Sequence, residues 1–162
     1  MVLGVRMARL GLQKLGIDDP LHYRDLVVYV EVDRCLADAV RVVTGCSLGK
    51  RRLKWVDCGK MAATFVDLAT DRAIRIAVTG ESRSPSKGEN VVSFWQAFSD
   101  EEIFKWEFVR VNIPPEDLPG KPSRKVQCQI CGEYVLDGRE VRAGDKVSCR
   151  SCAQGAYYSS LE

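Results

Sequence analysis

The sequence predicts an α+β fold, an α-β-α-β-β-β domain whose helices pack on a small mixed sheet, followed by a small cysteine-bound C-terminal module. Three observations predict it. Apolar residues recur at helical spacing near the start of the chain and again over 36–43, with β-branched runs between and after them. A stretch with four prolines in thirteen residues, 113–125, then interrupts the chain. Beyond it, four of the seven cysteines stand in two tight pairs.

In chain order, Leu3, Met7 and Leu10 share one helical face and Arg6, Arg9 and Gln13 another, so about Val2 to Leu15 form an amphipathic helix. Gly16 stops it, and Asp18-Asp19-Pro20 supply turn chemistry beyond. Arg6, Arg9 and Lys14 with no acid raise the question of a targeting signal, but the arginines break the apolar run too early for a secretory one. Nothing approaches the ~20 apolar residues of a membrane span. A cytoplasmic protein with no membrane partner is expected. "LVVYVEV", 26–32, reads as a mostly buried strand. Asp33 is placed to cap a second helix in which Leu36, Val40 and Val43 recur at i, i+4 and i+7, with Gly45 as its C-terminal cap.

Leu53–Cys58, Met61–Leu68 and Ala73–Thr79 read as three strands, joined by Gly59-Lys60 and by "ATDR" as successive hairpins. A polar loop at 80–89 leads to a helix over Val91–Phe98, and "SDEE" from Ser99 is a capping box opening a short helix through Trp106. Phe94, Trp95, Phe98, Phe104 and Trp106 read as core rather than as a stacking surface. The expected division is 1–112 for the α+β domain, 113–125 for a proline-rich linker and 126–162 for the small module.

Cys128 and Cys131 form one C-x2-C knuckle, Cys149 and Cys152 another, with seventeen residues between. This is the spacing of a four-cysteine zinc ribbon; an iron site on the same thiolates, or disulfides, are its rivals. Four sulfurs at ~2.3 Å close a tetrahedral Zn2+ and leave no position for water, so the site is structural. So short a segment cannot bury enough apolar surface alone, and zinc would supply most of its folding free energy. From Lys121 onward there are seven basic and five acidic residues, and four thiolates on one Zn2+ bring the module close to neutral. The whole chain carries a formal charge of only +2. Without a field to neutralise phosphates, nucleic acid is not the expected partner.

The remaining cysteines are less directive. Cys35, at the second position of the helix capped by Asp33, stands where amides and helix dipole favour a thiolate, as suits a reactive thiol or the ligand of a conditional second metal site. Cys46 lies eleven residues on, roughly 16 Å along a continuous helix, whereas two ligands of one zinc have sulfurs only ~4 Å apart. The two cannot share an ion within one protomer, and Cys46 is the weaker ligand candidate. "LGKRRLK", 48–54, reads as a solvated basic turn, with an anionic substrate or partner site as the alternative, and "DCGK", 57–60, as a surface turn; no role is assigned to Lys50, Asp57 or Lys60.

"LGVRMARLGLQKLG", "VDRCLADAVRVVTGCSLGK" and "DCGKMAATFVD" together resemble the FmdE/FwdE family of formylmethanofuran dehydrogenase components, and "CQICGE" opens a ribbon like that of many members. The resemblance implies an α-β-α-β-β-β fold and a zinc-binding accessory or regulatory role beside an enzyme that reduces CO2 to formylmethanofuran, or a related molybdenum or tungsten system. That role belongs to methanogenesis and one-carbon metabolism. The pterin and iron-sulfur centres would lie on other subunits; a homodimer that meets such subunits is expected, and catalysis by this chain itself is left open. Two departures stand out: a Gly-His-x-Cys-Pro-Gly motif usual before the first helix is not in this sequence, and Cys58 replaces a common aromatic residue. Since that motif would sit at the same end as the start of the second helix, Cys35 is the better candidate to join it. A metalloenzyme with an open site at Cys35, or a zinc ribbon that docks on nucleic acid or protein, are the alternative readings.

Overall fold

The computed structural model describes residues 1–79 and 83–161; the first three positions of the 80–89 loop and the last residue of the expected 126–162 module lie outside them. The chain divides into two compact units, Met1–Asn112 and Ile113–Glu162. In the first, α1 (Val2–Leu15), β1 (Leu26–Val30), α2 (Cys35–Thr44), β2 (Leu53–Trp55), β3 (Ala62–Asp67), β4 (Arg72–Val78), α3 (Val91–Gln96), α4 (Asp100–Ile103) and β5 (Phe104–Val109) follow in order. The five strands make one sheet, β2-β1-β3-β4-β5, in which only β1 and β2 are parallel.

The predicted fold class is therefore the one observed, and several elements take the predicted form for the predicted reason. α1 ends at Gly16 in the left-handed conformation, whose N–H reaches the Gln13 carbonyl while Ile17 N–H reaches that of Leu12. Gly45, also left-handed, ends α2 with its N–H on the Arg41 carbonyl. β3 and β4 form the predicted antiparallel hairpin. Ser99 and Glu102 make the predicted capping box, each side chain bonded to the other's backbone.

Three expectations are corrected. α2 begins one residue late: Arg34 occupies the cap with no side-chain hydrogen bond, so Asp33 does not cap the helix and Cys35 is its first residue rather than its second. β2 and β3 are not a hairpin, because β1 lies between them, paired parallel to β2 and antiparallel to β3. Residues 56–61 therefore cross from one side of β1 to the other, with Val56 N–H on the Val30 carbonyl and Lys60 N–H on that of Glu31. Finally, the helix opened at Ser99 stops at Ile103, and Phe104–Val109 is an edge strand on β4. Phe104, Trp106 and Phe108 alternate with Lys105, Glu107 and Val109, a period of two that no four-residue helix can use.

Register sorts the two sheet faces. Val28, Phe65 and Ile74 stand in one rank, Val30, Ala63, Ile76 and Trp106 in the next, and α1 packs on this side. Met7, Leu36, Val40, Phe65, Ile74, Ile76 and Phe104 are at most 2% exposed in that core, each contributing about 1.5–3 kcal/mol by leaving water. Trp95 and Phe104 are buried there and Phe94, Phe98 and Trp106 pack against it, so the aromatic cluster is core as expected. Arg6, read from the sequence only as part of a polar face, bonds Asp100 through Nε at 2.8 Å and the Trp95 carbonyl through Nη1, clasping α1 to α3 and α4.

The second unit holds a 3-10 turn at Pro115–Asp117, strands β6 (Lys125–Gln127) and β7 (Tyr134–Leu136), strands β8 (Val141–Ala143) and β9 (Lys146–Ser148), and the short helix α5 (Arg150–Gln154). Each strand pair is an antiparallel hairpin. The proline-rich stretch is tied into this unit: Asp117 pairs with Arg139, and Ser123 N–H donates to Asp137 Oδ1 at 3.0 Å. No described helix is long and apolar enough to cross a membrane.

Candidate metal centre

The β6–β7 hairpin carries Cys128 and Cys131 at its turn. Cys128 N–H bonds the Glu133 carbonyl, Gly132 N–H bonds that of Cys128, and Gly132 takes a positive φ of 78° to close the knuckle. The β8–β9 hairpin delivers Cys149 to the start of α5, with Cys152 one turn on. The two hairpins are stitched together by Gln129, whose N–H bonds the Val147 carbonyl at 3.0 Å and whose side-chain oxygen accepts Val147 N–H at 3.1 Å. Sequence reasoning passes over Gln129, because only the folded hairpins bring Val147 to it.

The four sulfurs all lie within 4.8 Å of one another, Cys131 and Cys149 being 3.9 Å apart. That is far beyond a disulfide and close to the ~4 Å edge of a tetrahedron of thiolates on one ion. Backbone N–H groups already point at sulfur: Cys149 to Cys128 at 3.2 Å and Cys152 to Cys149 at 3.3 Å. Amides of Cys131 and Cys149 pull the Cys128 thiol down to about 6, while its neighbours Cys149 and Cys131 push Cys152 up to about 12. One negative sulfur thus forbids the next, and a cation among them is what would let all four ionise. The donor set fits a tetrahedral, thiophilic metal ion and leaves no protein ligand missing.

Among the described residues these four are the one group of three or more Cys, His, Asp or Glu that could hold an ion. Cys35 is exposed at the start of α2, 3.3 Å from the Met1 amine, and among the described residues it joins no group of three or more such side chains. Cys46 lies beyond the helix, fully buried, its thiol 3.5 Å from the Leu26 carbonyl and its pKa raised by burial. It packs as a core thiol.

Of the cavities along the sheet of the first unit, two bear on function. One, about 650 Å3, opens between α2 and β2 at the carboxyl ends of the parallel strands, with Val30 and Leu53 as floor, Trp55 as a half-exposed wall, and Asp33, Asp38 and Arg41 on the rim. It exists because β1, α2 and β2 form a parallel crossover, which the predicted hairpin concealed. The other, about 480 Å3, lies on the opposite sheet face, lined by Glu31, Cys58, Lys60, Thr64, Arg75 and Glu107 among others. There Glu31 and Arg75 meet in a two-pronged pair at 2.7 and 2.8 Å. Hydrogen bonds from Arg75 hold the Glu31 carboxyl below its usual value; Arg75 is raised mainly by Glu31, with smaller effects from Glu107 and Cys58.

Residues 1–108 match the family model described as FmdE, molybdenum formylmethanofuran dehydrogenase operon. A protein of Archaeoglobus fulgidus named as a probable S-adenosyl-L-methionine-binding protein is 31% identical over 98% of this chain, which spans about half of that relative's length, 50%. A crystal structure of a tungsten formylmethanofuran dehydrogenase FmdE-like protein from Syntrophus aciditrophicus superposes with a TM-score of 0.60 at 22% identity, covering 97% of this chain and 84% of that one. The latter is a likeness of fold.

Proposed function

The chain belongs to the FmdE family, and on that premise we propose that it is a zinc-binding accessory or regulatory subunit of formylmethanofuran dehydrogenase or a related molybdenum or tungsten enzyme system. In this reading residues 1–112 are the FmdE-like domain, 113–125 a linker and 126–162 a zinc ribbon, in a cytoplasmic homodimer that docks on other subunits. The family match over 1–108 is the observation that carries it. Cys128, Cys131, Cys149 and Cys152 would hold Zn2+ in a closed site, where the ion supplies folding energy and shape rather than a reactive water. Those cysteines and their amide donors fix the two hairpins against each other. Purification from an anaerobic host under native conditions tests the reading: one zinc per chain and recovery together with formylmethanofuran dehydrogenase subunits are expected. Recovery apart from them, with unchanged dehydrogenase activity when the chain is deleted, would refute it.

A second reading, small-molecule binding in the crevice of the β1-α2-β2 unit, is favoured by that cavity's size and lining. Ligand sites commonly have volumes of ~300–1,000 Å3 with apolar walls and a few placed charges, and in α/β units ligands sit beyond the carboxyl ends of parallel strands. The name of the Archaeoglobus relative makes S-adenosylmethionine the first ligand to test. Titration calorimetry with it, and with S-adenosylhomocysteine, should show binding that Trp55→Ala weakens; no heat from either would dismiss this reading.

A further inference from the structure

We propose that the cavity holding Cys58 is a modification site, at which small zwitterionic disulfides of the amino-acid type form a mixed disulfide with that thiol. The cavity shares no residue with the crevice beside α2 or with the four-cysteine cluster, and the proposed subunit role uses none of it. Its floor is Thr64, which register sets between Tyr29 on β1 and Arg75 on β4. Thr64 is only 7% exposed, yet its hydroxyl has no hydrogen-bond partner among the described residues. That hydroxyl opens into the cavity, where a polar group that enters can take it up in place of water.

The walls define that group. Arg75 spends two of its N–H directions on Glu31, which fixes both charges in place. Lys60 lines the same cavity beside Glu31, and Glu107 lies directly across from Arg75 in register. Cations and carboxylates are thus balanced within one small space. Such a space matches a ligand bearing both a carboxylate and an ammonium, and gives no advantage to an uncharged one. Cys58 is the one thiol in the lining and it is exposed, whereas Cys46 is sealed in the core and Cys35 lines neither cavity.

The chemistry balances without a further oxidant. The Cys58 thiolate attacks one sulfur of the ligand disulfide, a protein–ligand S–S bond forms, the ligand S–S bond breaks, and the other half leaves as a thiolate that takes up a proton. A low-molecular-weight thiol runs the step backwards.

The test uses the full zinc-loaded chain and two reagents, cystine and the uncharged bis(2-hydroxyethyl) disulfide, with peptide mass mapping of Cys58 and Cys35 over time. The rate ratio of Cys58 to Cys35 should be several-fold higher with cystine than with the uncharged reagent. Lys60→Gln and Thr64→Val, one on the rim and one on the floor, should each bring the cystine ratio down toward the other. Equal ratios for the two reagents in the wild-type chain overturn the proposal. A cystine preference that survives both substitutions overturns it as well, since the cavity would then have no part in the selection.

Discussion

Gly11 of α1 lies against the ring of Phe65 on β3, so close that a Cβ at residue 11 would stand 2.5 Å from ring Cδ2. The helix can settle on the sheet only where it has no side chain. Gly4, one face-repeat earlier, plays the same part against α2, where a Cβ would meet both Ala39 Cβ and the Leu36 carbonyl at 2.8 Å.

Gly11→Ala is therefore expected to destabilise the first unit, although alanine is the better helix former by ~1 kcal/mol. Overpacking a fixed core costs about 1–3 kcal/mol, and Phe65 is fully buried with nowhere to move. Gly49→Ala, where a Cβ meets nothing within 4 Å, is the control and should be neutral. Thermal unfolding of the two variants beside wild type checks this, and equal midpoints would count against the close packing.

Removing the metal should unfold the ribbon and spare the other unit. Structural zinc in such modules contributes on the order of 10–16 kcal/mol of apparent folding free energy, and this one has little else: Cys128 is its one buried hydrophobic residue among those described. The Met1–Asn112 unit has its own core and no share in the cluster. Hydrogen exchange after chelation should show protection lost over β6 to α5 and kept over β1, β3 and β4. Protection that persists in the chelated ribbon would mean the metal is not what holds it.

Much of this organisation can be read from local sequence, and the parts that cannot share one property. α1, the end of α2, the β3–β4 hairpin and the capping box at Ser99 are each specified by residues a few positions apart, and each is legible. So is the cysteine cluster, since two knuckles plus a return hairpin leave little freedom. The position of β2 is not, because a strand followed by Gly59-Lys60 and another strand gives the same local signal whether or not β1 slots between them. That ambiguity hides the crevice beside α2, whose walls at Val30 and Trp55 meet only through the parallel crossover. The stretch Phe104 to Trp106 reads as helix because a strong helix start at Ser99 stands directly before a strand. The Cys58 cavity is invisible for the first reason again: Glu31, Thr64, Arg75 and Glu107 stand on or beside four different strands.

The Glu31–Arg75 pair should leave a trace in the acid limb of stability. Because Arg75 holds the folded Glu31 carboxyl below its ordinary value, the pair's contribution is present above the unfolded glutamate pKa of ~4.3 and is lost as pH falls through the lower folded value. Glu31→Gln should cost about 1.5–3 kcal/mol near neutrality, the range for hydrogen bonds to charged groups, toward its lower end given partial exposure. Its midpoint should also fall less than that of wild type on acidification. Parallel pH profiles for the two proteins would show that the pair does not report on folding.

Cys46 and Cys35, the two thiols that invite comparison as ligands, should separate cleanly in solution. Cys46 is wholly enclosed, so a thiol reagent reaches it only when the unit opens, and burial that raises its pKa lowers its thiolate fraction further. Cys35 is exposed and should react at once. In stability the order reverses: Cys46→Ala empties packed volume and loses the contact to Leu26, costing within the ~0.5–3 kcal/mol typical of point changes, while Cys35→Ala stays within about 0.5 kcal/mol as surface changes do. Timed alkylation with peptide mapping, paired with urea titrations of both variants, reads the two effects separately. Rapid labelling of Cys46 under native conditions would remove it from the core and reopen its candidacy as a ligand.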